Sequence, residues 1–193
     1  MILVEVHEGL FAETFRITAP IGGGGWRLLT LCDGDLPEGA DTLEVLVEVC
    51  PLLREVGELA GTDHFQHFHL LLQDVLRRAP MGLAWDQVFD DKHLHEVGDV
   101  VVTRTTGKVE RWKVFQFEKQ RTLVRVLWSY GSGRRTLLLT HMFVKPGGRK
   151  KTPRSEIERA RKTLETYLAA VDAGQAKLIT EQGGRDGFVK LAH

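Results

Sequence analysis

Histidine, arginine and lysine recur through the middle of this 193-residue chain at spacings that could gather them around a phosphate. His141 and Lys145 lie in the run Thr140-His141-Met142-Phe143-Val144-Lys145, where strand alternation puts both on one side with Phe143. Arg125 sits inside the apolar run Leu123–Trp128. An unpaired charge there is costly, so Arg125 needs an acidic partner such as Glu110 or Asp99, or a phosphate on a wet concave surface. Arg111 and Lys113 share a face of an earlier stretch, and Arg149, Lys150 and Lys151 follow in a basic loop. A histidine titrating near neutrality beside fixed cations suits proton transfer on a phosphodiester. Clustered cations would stabilise the charge of the transition state without a metal. The expectation is that Lys113, Arg125, His141 and Lys145 converge on one concave patch of sheet.

The charge distribution points the same way. Lys plus Arg and Asp plus Glu both number 26, so the formal net charge is zero. Residues 1–100 nevertheless hold 6 basic against 18 acidic side chains, a net −12, while residues 101–162 hold 17 against 4, a net +13. Such a basic block attracts phosphates. It could equally be a solvated face matched to the acidic half of the same chain. If the acidic half lies on the basic block as an RNA mimic, deleting residues 1–40 should strengthen RNA binding.

The elements that must position these residues follow from periodicity and turn chemistry. Residues 2–6, 14–18 and 26–31 read as short strands, separated by the Gly22–Gly25 run and by Asp33-Gly34-Asp35. From Thr42, Leu43, Val45, Val47 and Val49 alternate with Glu44, Leu46 and Glu48, the pattern of a half-buried strand. Helices are predicted over 51–59, opened by Pro51, and over 63–78, with a short helix within 86–95. Strands are predicted over 109–117, 122–130 and 136–145. A last helix starts with Thr152 as N-cap and Pro153 in the first turn, runs with Ile157, Ala160, Leu164, Leu168 and Val171 on one side, and ends at Gly174.

Composition excludes several classes. Hydrophobic residues at 42% and charged residues at 27% describe a globular protein. No apolar run reaches the length of a membrane span, and the start Met1–Leu10 lacks the layout of a signal peptide, so a cytoplasmic location is expected. Cys32 and Cys50 read as reduced thiols. His64, His67 and His69, with His93 and His95, lack the acidic or cysteine ligands of a zinc pattern, so no metal and no other cofactor is expected.

The run Thr140–Lys145, followed by Lys150-Lys151-Thr152-Pro153-Arg154-Ser155-Glu156-Ile157-Glu158-Arg159-Ala160, resembles the end of RelE/ParE-superfamily toxins. The closest branch is the HigB-like, phage-derived group, in which a His-x-Phe-Val-Lys strand precedes a Lys-Thr-Pro turn and a helix. Leu123–Trp128 resembles that family's arginine-bearing strand, and Arg111-Trp112-Lys113 stands at the family's Glu-Leu-Arg. The likeness covers residues 108–168. Pro146-Gly147-Gly148 lengthens the usual link ahead of Thr-Pro, and the acidic half is an addition.

This resemblance implies an α+β fold: a small antiparallel sheet packed with two N-terminal-side helices and a C-terminal helix. Residues 1–40 would form a β-rich extension, 41–172 the toxin domain and 173–193 a tail. It implies the toxin of a type II toxin–antitoxin pair, a metal-independent mRNA endoribonuclease acting at the ribosome, in which a 2′-hydroxyl attacks the adjacent phosphate. mRNA, the ribosome and a helix-turn-helix antitoxin would be the partners, with no membrane. Arg125 would bind the scissile phosphate and His141 would transfer the proton, with Lys113, at the basic position of the family's first sheet strand, and Lys145 completing the catalytic set; Lys145 and Lys151 would hold flanking phosphates, with Arg111, Arg149 and Lys150 as further RNA contacts. The alternative is a non-catalytic module of the same fold that docks a protein partner or nucleic acid.

Overall fold

The computed structural model describes residues 1–6, 25–33, 47–90, 93–132, 135–147 and 151–179. Strands β1 (Ile2–Glu5) and β2 (Arg27–Cys32) come first. Helices α1 (Pro51–Glu58) and α2 (Asp63–Arg78) follow, then a 3-10 turn at Ala79–Met81 and the single turn α3 (Trp85–Val88). Strands β3 (Leu94–Thr103), β4 (Val109–Glu118), β5 (Val124–Tyr130) and β6 (Thr136–Val144) lead to helix α4 (Arg154–Asp172) and a short β7 (Lys177–Ile179). The fold is α+β.

All seven strands form one sheet in the order β3-β4-β5-β6-β2-β1-β7. Neighbours are antiparallel from β3 to β6 and between β1 and β2. The β2–β6 and β1–β7 pairs are parallel, so the sheet is mixed. Alternation on each strand divides the apolar side chains between two layers of helix. Leu28, Val126, Trp128, Leu137 and Leu139 pack with Leu52, Leu53 and Val56 of α1 and Phe68, Leu72 and Val75 of α2. Their neighbours Leu29, Leu127 and Leu138 point the other way, onto Ala160, Leu164, Tyr167 and Leu168 of α4. Phe115 and Phe117 flank Trp128, with ring centroids 4.6 and 4.9 Å away, and make the α1–α2 side an aromatic core.

Helix ends follow their local chemistry. Pro51 opens α1, where its missing N–H costs nothing. Thr62 caps α2 by accepting from the Phe65 N–H, with Asp63 in the first turn and Arg77 and Arg78 in the last. The cap expected of Thr152 is absent: α4 begins at Arg154 behind Pro153, and the Thr152 hydroxyl donates to Gln116 Oε1 at 2.8 Å.

Three expectations need correction. Residues 47–49 form a helical turn rather than the end of a strand, because β2 already occupies the place beside β6; residues 41–46 lie outside the described set. Residues 1–40 contribute β1 and β2 to the interior of the sheet, so the sheet has no boundary at residue 40. Residues 177–179 form β7 within the expected tail. The strand expected over 14–18 and the turn at Gly22–Gly24 lie outside the described residues. Among the described residues no helix is long and apolar enough to cross a membrane.

Candidate functional site

Strand registers define a polar row on the α4 face of the sheet. His95 of β3 pairs with Gln116 of β4, Gln116 with Leu127 of β5, and Leu127 with His141 of β6. The next row on the same face holds Glu118, Arg125 and Phe143. A bulge aligns the β6 end of the row: Leu127 opposes His141 while Trp128 opposes Leu139, leaving Thr140 as the extra residue. Without it His141 would share the side of Leu139 and point into the aromatic core.

The two ends of the row meet different surroundings. His141 has 0% of its surface exposed. Its Nδ1 lies 3.1 Å from Thr140 Oγ1, and its Nε2 lies 3.2 Å from Glu156 Oε2 on α4. Burial, reinforced by the Arg159 charge, pulls its pKa down to about 3, so the ring is neutral at physiological pH. Arg125 is 7% exposed; its Nη1 donates to the carbonyls of Thr122 and Val124, and its Nε is 2.8 Å from Glu118 Oε2. Burial lowers the guanidinium pKa and Glu118 opposes that shift. The acidic partner is therefore Glu118, not Glu110 or Asp99.

Lys113 and Arg111 are on the other side. Both share the face of Phe115 and Phe117, whereas Gln116 and Glu118 face α4. Lys113 is 59% exposed and ion-paired to Glu96 at 2.7 Å, which raises its pKa. Arg111 lies 3.5 Å from Asp99. The expected convergence of Lys113, Arg125, His141 and Lys145 thus fails for a physical reason. Strand alternation separates Lys113 from the rest, and α4 seals His141. Arg149 and Lys150 lie outside the described residues.

What the structure does bring together is a cleft of about 620 Å³ at the open end of the row. Its walls include His95, Glu96, Gln116, Glu118, Lys145, Lys151 and Thr152. Lys145 arrives from the end of β6, its N–H donating to the Leu123 carbonyl at 2.8 Å, and Lys151 from the loop before α4. Glu118 is the hub. Its Oε2 accepts from Gln116 Nε2 at 2.7 Å and faces Arg125, while its Oε1 is 3.5 Å from His95 Nε2. The imidazole of His95 is 38% exposed.

Gln116 and Glu118 are residues that the chain's motifs do not single out, and His95 stands only in a histidine group set aside as a metal pattern. Alternation over 109–118 already separates Gln116 and Glu118 from Phe115 and Phe117. Nothing comparable marks His95, because Gly98 and Asp99 interrupt the strand pattern where β3 carries its register shift between Glu96 and Gly98.

The two charge blocks do meet. Glu55 pairs with Arg159, Asp74 with Lys119, Glu96 with Lys113 and Asp99 with Arg111, each an acidic residue of the first half on a basic residue of the second. Among the described residues no three His, Cys, Asp or Glu side chains gather as a metal-ligand set. Compared with known proteins, the chain matches no family model, no curated protein and no solved structure.

Proposed function

We propose that this protein is a RelE-superfamily toxin of the HigB-like branch, a metal-independent endoribonuclease that grips mRNA at the ribosome and is neutralised by an antitoxin. One observation carries the reading: Lys145 and Lys151, from the two segments that bear the toxin-like motif, line the same cleft as a histidine and a glutamate. The wall carboxylates have basic partners of their own, Glu96 in Lys113 and Glu118 in Arg125, which moderates the negative charge that the cleft presents to an RNA backbone. The order of a strand, two helices, four antiparallel strands and a helix, with β2 parallel to β6, supports a RelE-like arrangement.

The test is inducible expression in a bacterium, with growth and mRNA cleavage as readouts. The parent should arrest growth and cut mRNA, and the Lys145→Ala/Lys151→Ala pair should relieve both. Harmless expression of a folded parent that cuts no RNA beside added ribosomes would overturn it. A second reading, a non-catalytic module docking RNA or a protein, draws on the sealing of His141 and the outward turn of Lys113. Retention of RNA without cleavage is the outcome it requires.

A further inference from the structure

His141 cannot reach a substrate without the departure of α4, yet a second histidine lies in register with it at the open end of the same row. We propose that His95, oriented by Glu118, is the proton-transfer residue of RNA cleavage in this cleft. The inference rests on the endoribonuclease reading above and assigns its chemistry to residues outside the toxin-like motif.

The geometry is that of a histidine backed by a fixed carboxylate. Glu118 cannot swing freely, because Gln116 Nε2 and the buried Arg125 hold its Oε2 from two directions. Gln116 is in turn held by the Thr152 hydroxyl. The remaining carboxylate oxygen faces His95 Nε2 at 3.5 Å, an ion-pair distance longer than a hydrogen bond, which a bound substrate would have to tighten. With Nε2 turned to the carboxylate, Nδ1 is the ring nitrogen left for a ligand. The charged groups around the ring are Glu118 from β4, its chain neighbour Glu96, Lys145 beyond β6 and Lys151 ahead of α4.

In the reaction, His95 Nδ1 takes the proton of a ribose 2′-hydroxyl as its oxygen bonds to phosphorus. The bond from phosphorus to the 5′-oxygen breaks, and that oxygen takes a proton from a lysine ammonium of the cleft. The products are a 2′,3′-cyclic phosphate and a 5′-hydroxyl end; histidine and lysine then exchange protons with water. Glu118 is a positioning residue, since it acts through His95.

The experiment uses the full chain with purified bacterial ribosomes and an mRNA fragment, alongside binding of a 2′-deoxy-substituted oligonucleotide that cannot be cut. His95→Ala should lower the cleavage rate by roughly 100-fold or more, as for other general acid–base residues, with binding changed less than about threefold. Added imidazole should restore part of the rate. Glu118→Gln should move the acid limb of the pH–rate profile; because Arg125 needs its partner, His95→Ala carries the decision if that variant does not fold. A parent that cleaves while His95→Ala retains its rate overturns this assignment alone. A parent that binds but never cleaves overturns the endoribonuclease reading and the assignment with it.

Discussion

His95 and His141 stand at the two ends of one cross-strand row, joined through Gln116 and Leu127, and α4 covers only the His141 end. The same face of the same sheet therefore offers one imidazole sealed in the interior and one open to a polar cleft. Each end makes a different prediction.

At the sealed end the prediction concerns stability. His141 has a folded pKa near 3, below the ordinary value of 6.5, so the unfolded chain binds more protons between those limits. Its stability contribution is complete above about pH 6.5 and is lost as pH falls towards 3, at no more than about 1.4 kcal/mol per pH unit. Thermal melts of the parent and of His141→Leu between pH 7 and pH 4 should show a smaller acid-induced fall in the variant. Parallel falls would show that the ring is charged in the folded state.

At the open end the prediction concerns salt. If Lys145 and Lys151 each contact one phosphate of a single strand, replacing either with Ala weakens RNA binding whatever the sequence. Each replacement should also reduce the slope of log affinity against log salt by about 0.7. Titrations of one oligoribonucleotide from low to physiological salt measure this. An unchanged slope would place the RNA elsewhere on the surface.

Truncation to residue 41 should unfold the protein rather than unmask it. β1 and β2 lie between β6 and β7, and their removal strips cover from Leu138 and Leu139. Circular dichroism should show loss of the cooperative melt. Masking by the acidic half is tested instead by Glu96→Gln, which removes one carboxylate from the cleft wall and should strengthen RNA binding by up to about fivefold at low salt.

Gly25 should tolerate no side chain. A Cβ there would stand 2.6 Å from the Ala79 carbonyl oxygen and the Pro80 Cα, and Trp26 N–H donates to that carbonyl at 2.8 Å. Backbone atoms cannot yield as a side-chain tip can, so Gly25→Ala should cost on the order of 1–3 kcal/mol in denaturant unfolding. Trp128→Ala, emptying the place between Phe115 and Phe117, should cost about 3–5 kcal/mol by the same measurement.

Much of the scaffold was legible because its signals are local. Pro51 and the period of 63–78 mark α1 and α2, the alternation of 109–145 marks β4 to β6, and the stripe from Ile157 to Val171 marks α4. Where local signals conflict, reading failed: residues 43–49 are apolar at nearly every second and third position, and Gly98 with Asp99 hides β3.

The chain alone determined which residue types are present, which of them share a face along β4, and that one half is acidic and the other basic. It could not determine which face would be roofed. That depends on α4 crossing the sheet from β6 to Val100 and Val102 of β3 and leaving only the His95 end of β3 uncovered, a long-range packing choice that no residue spacing encodes. The same spacing of polar side chains becomes a buried hydrogen-bonded histidine beneath the helix and an accessible one beyond it, because desolvation acts only where the two layers touch.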